Sequence, residues 1–92
     1  MTENQGSGVM VRRVGTPEDL GAAIADIRKQ RGMTQQELGE WTGLHRQYVG
    51  LLETGQVSAQ VRRLLDLVGL LGYEIVLVPR GAPVEPSTDD DA

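Results

Sequence analysis

The 92 residues include no cysteine, one histidine and three aromatic side chains, and the formal charge is −4. That length allows one small domain, the missing thiols exclude disulfides and thiolate metal sites, and His45, with no second ligand nearby, excludes a histidine-based metal centre. No apolar run could span a bilayer and no signal-like apolar stretch follows Met1, so a soluble, cytoplasmic protein is expected. The acid excess belongs to the ends. Residues 11–78 carry eight basic and eight acidic side chains, whereas Glu3, Glu85 and Asp89 to Asp91 lie outside them. A low overall isoelectric point therefore says little about what the folded part touches.

Residues 1–10 are polar and Gly-bearing, and residues 79–92 are rich in Pro, small residues and acids; both read as disordered tails around a domain at 11–78. Val9 to Val14 is a weak strand pattern. Thr16-Pro17-Glu18-Asp19 then starts a helix, with a Thr cap, Pro in the first turn and two acids at the positive dipole end. Leu20, Ala23, Ile24 and Ile27 recur at helical spacing, and Gly32 supplies the stop. Thr34-Gln35-Gln36-Glu37 is a capping box that opens a short second helix. A third segment runs from Arg46 to Glu53 and stops at Gly55. Ser58 caps a fourth helix reaching about Leu71, with Val61, Leu64, Leu65, Val68 and Leu71 on one stripe.

Tyr73 to Val78 is different: β-branched and aromatic residues end at Pro79, as in a strand. A single strand leaves its backbone groups unpaired and needs a partner. Two are available, Val9 to Val14 of the same chain or the same strand of a second copy. Leu67 and Leu70 lie beside the stripe of the fourth helix and enlarge an apolar patch, which favours a homodimer built from Leu67, Leu70, Tyr73, Ile75, Val76, Leu77 and Val78.

Two short helices around the turn Thr42-Gly43-Leu44 make a helix-turn-helix. Leu38, Leu44, Val49 and Leu52 fall where the helices face one another, and Gly39 sits where only a small side chain permits close crossing. Arg46 and Gln47, in the first turn of the second helix of the pair, point outward. Arg suits guanine O6/N7 and Gln suits adenine N6/N7, each discriminating by about 1–3 kcal/mol. Gly50, one turn on, leaves space. Gln35 and Gln36 stand at a helix N-terminus that suits a phosphate. The alternative for Arg46 and Gln47 is a solvated surface, and the motif favours base contact. His45 reads as a cap or phosphate contact. Tyr48 either packs its ring on the preceding helix or reaches a phosphate. Trp41 either covers an apolar seam or anchors a partner, with the seam favoured, and Asp89 to Asp91 reads as a solubilising end. Neither a Ser/His/Asp set, a phosphate-cradling glycine loop nor a metal cluster is present, so no enzyme and no cofactor are expected.

Arg28-Lys29-Gln30-Arg31-Gly32-Met33-Thr34-Gln35-Gln36-Glu37-Leu38 and Glu53-Thr54-Gly55 make residues 16–78 resemble the Cro/C1-type (XRE) helix-turn-helix family. The Thr16-Pro17 start, the absence of a fifth helix and the ending Leu71 to Arg80 narrow the resemblance to HipB-like antitoxins, including the related Y4mF-type group. The resemblance implies an all-α, four-helix, lambda-repressor-like domain whose C-terminal strand pairs across a dimer. It also implies that Gln35 touches a phosphate and braces the recognition helix, that Arg46 and Gln47 read bases, and that Arg28 and Glu53 form a structural ion pair. His45 replaces the usual Ser or Thr cap, Gly39 the usual Ala, and Trp41 a charged residue. The expected function is repression at a pseudo-palindromic operator on double-stranded DNA, that of the protein's own operon, and the resemblance further implies restraint of a HipA-like serine/threonine kinase toxin. The alternative is a stand-alone repressor.

Overall fold

In a computed structural model, which describes residues 11–81, the order is β1 (Arg12–Arg13), α1 (Pro17–Gln30), α2 (Gln35–Thr42), α3 (Arg46–Glu53), α4 (Ala59–Leu70) and β2 (Val76–Leu77). Local chemistry sets each helix start. The Thr16 hydroxyl accepts from the Asp19 N–H at 3.0 Å, and Ser58 does the same for Val61 at 3.3 Å. At α2, Thr34 accepts from the Glu37 N–H while the Glu37 carboxylate accepts from the Thr34 N–H, 3.0 and 2.9 Å. Such caps satisfy backbone donors that the helix itself leaves unpaired.

The first three helices pack by backbone approach rather than by large side chains. A Cβ on Gly21 of α1 would collide with the Leu52 carbonyl oxygen, and a Cβ on Gly39 of α2 with that of Leu44. Small residues at these two points let α3 lie directly against both neighbours. Val49 of α3 and Ala23 of α1 are buried at the centre, and Leu38 and Leu52 are half-buried beside them. Leu44, expected between the helices, is instead exposed, because the turn turns its carbonyl rather than its side chain toward α2.

Two expectations about the C-terminal part need correction. The strand finds its partner inside the chain: β1 and β2 pair antiparallel, with Arg12 opposite Leu77 and Arg13 opposite Val76, and the Val14 N–H donates to the Ile75 carbonyl at 3.0 Å. The reason is alternation. Val14 is buried, and Ile75 and Leu77 are turned to the same inner side and half-buried, so pairing in this register shields three aliphatic side chains together. The ladder is only two residues long on each side, and Tyr73 stays outside it and exposed. Thus Ile75 and Leu77, expected in a dimer contact, serve this chain's own core. The tail at 1–10, with Val9 and Met10, and residues 82–92 of the tail at 79–92 lie outside the described residues.

The stripe on α4 also differs. Leu65 is buried and Val68 half-buried, but Leu64, Leu67, Leu70 and Leu71 are all more than half exposed. Exposed ion pairs fix the outer elements to α1: Arg12 with Asp26 at 3.2 Å and Arg62 with Glu18 at 3.4 Å. No described helix is long and apolar enough to cross a membrane.

Candidate nucleic-acid interface

The turn between α2 and α3 presents the first turn of α3 to solvent. Gly43 closes α2 in the left-handed region, φ 80°, which only glycine adopts without cost. Two residues later the His45 ring caps α3: its Nδ1 accepts from the Gln47 N–H at 3.1 Å. An accepting Nδ1 leaves the ring proton to Nε2, a donor not consumed by the cap. A histidine therefore does the work of the usual hydroxyl cap.

Behind this surface lies a polar brace. Arg28 of α1 donates through Nε to Glu53 Oε2 at 2.6 Å and through Nη2 to Glu53 Oε1 at 3.1 Å. Its Nη1 donates to the Met33 carbonyl at 2.7 Å. Gln35, at the start of α2, donates from Nε2 to Glu53 Oε1 at 2.9 Å. Both charged side chains are nearly buried, 11% and 6% exposed. One carboxylate thus ties the end of α3 to α1 and to the start of α2. The bond from Arg28 holds the Glu53 carboxyl below its ordinary range, burial opposes it, and the Gln35 amide adds to the lowering. The same pairing raises Arg28.

Gln36, His45 and Arg46 line one shallow groove with Glu40 and Leu44. Gln35, Gln36 and Arg46 line another with Arg28 and Met33. Arg46 stands between the two and is exposed, so its guanidinium is available to bases or to phosphates. Gln47 is exposed beside it and lines neither groove. Gly50 lies against the Gln35 amide, where an added Cβ would sit 3.7 Å away. That is an ordinary van der Waals contact, so the brace does not require glycine here. Tyr48 is not gathered into this surface; it is half exposed, and Leu51, one turn on along α3, is exposed with it. Trp41 is 66% exposed, with the Arg31 guanidinium carbon 5.9 Å from its ring centroid, and it borders a cleft with Ile24 and Leu38. It edges the seam more than it covers it. Gly21 and the Met33 carbonyl were not singled out from sequence. A small residue between Leu20 and Ala22-Ala23 was the available signal for Gly21; the carbonyl has none.

The family model for the helix-turn-helix, HTH_3, matches residues 24–78. The "Uncharacterized HTH-type transcriptional regulator y4mF" of Sinorhizobium fredii (strain NBRC 101917 / NGR234) is 32% identical over 72 residues, 78% of this chain and 95% of its own length. A second regulator of that strain, y4dJ, also described as an uncharacterized HTH-type transcriptional regulator, is 34% identical over 57 residues, 62% of this chain and 74% of its own. No solved structure matches. The matched segment holds α2, the glycine turn, α3, α4 and β2 together with the C-terminal part of α1, and with it the chain belongs to the HTH_3 helix-turn-helix family.

Proposed function

We propose that this DNA-binding transcription regulator is a sequence-specific repressor of its own operon and the antitoxin of a Hip-type toxin–antitoxin module. The observation that carries the DNA reading is the exposed first turn of α3, with Arg46 and Gln47 outward, on a helix locked by the Arg28–Glu53–Gln35 brace. A braced helix presents its side chains with little reorganisation on binding, which favours readout over general adhesion. Arg46 and Gln47 read base edges, while Gln36, His45 Nε2 and the α2 N-terminus meet phosphates. The working form is a homodimer that places two α3 helices about 34 Å apart. Leu67, Leu70, Tyr73, Val76 and Val78, all exposed, are its contact face. The antitoxin reading is supported by the likeness of the ending Leu71 to Arg80 to HipB-like chains, and its partner is a HipA-like serine/threonine kinase.

The DNA reading is tested by footprinting the upstream region of the gene with wild type and Arg46→Ala. Expected is a protected pseudo-palindrome, with about tenfold or greater weakening and relaxed preference at one base pair per half-site in the variant. Equal affinity and equal preference overturn base readout by Arg46. Co-expression with the neighbouring reading frame tests the partner. A stoichiometric complex with a kinase-like protein supports the antitoxin, and a dimer that purifies alone yet binds its upstream DNA is a stand-alone repressor.

A further inference from the structure

A groove of about 350 Å³ runs along the C-terminal end of α1, where Ile27 and Arg31 face Leu77, Pro79 and Arg80, with Arg12 at the rim. Ile27 and Arg31 are also walls of the adjoining cleft that Trp41 borders. The two clefts adjoin across Ile27 and Arg31, with aliphatic side chains and arginines among their walls. Arg12 is already paired with Asp26. Arg31 and Arg80 make no ion pair among the described residues.

The described residues end at Gly81, one residue past Arg80 on the groove wall. The segment beyond it, Ala82-Pro83-Val84-Glu85-Pro86-Ser87-Thr88-Asp89-Asp90-Asp91-Ala92, carries four carboxylates, no base and one aliphatic side chain larger than alanine. Eleven residues reach at most about 36 Å, and a tether this short supplies an effective concentration of about a millimolar. Sign, position and reach all fit the groove. We propose that the acidic segment Glu85 to Asp91 docks in cis in this groove, with its carboxylates on Arg31 and Arg80 and its path running beside Trp41. A segment seated there neutralises a second basic surface and confines polyanion contact to the α2–α3 face. That consequence rests on the DNA reading; the docking itself does not.

Trp41 is the sole tryptophan, so its indole N–H gives one NMR cross-peak that reports on the groove without DNA. The full chain is compared with the full-length variant E85Q/D89N/D90N/D91N. In about 20 mM salt, where screening is weak, the two indole peaks are expected at different positions, and about 0.5 M salt is expected to move the wild type onto the variant. R80Q in the full chain, which leaves Arg31 on the Trp41 ring, is expected to displace the peak in the same direction. Coincident peaks at low salt overturn the docking and leave the groove to another protein. A wild-type peak that moves on dilution from about 1 mM, near the effective concentration of the tether, to about 20 µM makes the occupant the tail of a second copy and overturns docking in cis.

Discussion

The α1–α2–α3 unit and the α4–β2 end are built from similar aliphatic residues but finished differently. In the first, Gly21 and Gly39 bring backbones together and the Glu53 carboxylate joins three elements. In the second, α4 buries Leu65 and half-buries Val68, yet exposes Leu64, Leu67, Leu70 and Leu71. An apolar face of that kind is rarely left to water. The first unit is thus complete within one chain and suited to holding a reading head in a fixed pose. The second leaves an aliphatic face open to solvent. Polar bracing is concentrated at the α1–α2–α3 unit, and exposed aliphatic surface at the α4–β2 end.

The contrast breaks first at the backbone contacts. Gly21→Leu or Gly39→Leu forces a side chain into a carbonyl of α3 or of the turn before it. A loss of about 3 kcal/mol or more is expected, from an overpacked crossing with no room to relax, read as a lower midpoint in urea. Glu53→Ala strands Arg28 and frees Gln35; breaking a nearly buried pair costs about 3–5 kcal/mol. The same carboxylate gives the fold a pH dependence. Its folded pKa is depressed, so its stabilisation is fully present above the unfolded value of about 4.3 and declines as pH falls from there through the folded value. Thermal melts of wild type should therefore fall through that acid range, and those of Glu53→Ala should fall less.

The smaller effects separate the two ends. Leu67→Glu/Leu70→Glu touches no buried side chain and should leave the monomer's fold intact while abolishing association, read by sedimentation at micromolar concentration. A variant that sediments as wild type removes α4 from the dimer face. His45→Ala should cost about 1 kcal/mol for the lost cap, and His45→Ser should restore that stability. If the serine variant regains stability but its DNA binding stays weak, His45 Nε2 is the group that meets DNA; full recovery of binding confines the ring to capping.

Helix positions were legible because their signals are local. Thr16-Pro17, the Thr34/Glu37 box and Ser58 each act within four residues, and each cap is made as its residue types dictate. The outward placement of Arg46 and Gln47 was equally legible, since it follows from the turn and the helical period. The strand partner was not. Val9 to Val14 is poor as a sequence pattern, and its pairing depends on Val14, Ile75 and Leu77 sharing the inner face of the ribbon. Nor could spacing separate the inner from the outer leucines of α4, because a run apolar on more than half its circumference has no unique inward direction.

The sequence by itself determined four helices, the turn between α2 and α3, and the exposure of Arg46 and Gln47 at the start of α3, because caps, glycines and periodicity are short-range. Only the tertiary structure decided that Glu53 serves Arg28 and Gln35 at once, that Gly21 admits α3, and that β2 closes on β1 within one chain. Each of these depends on residues distant in sequence meeting at a distance of a few ångströms, and such meetings are fixed by how whole elements pack rather than by any local preference.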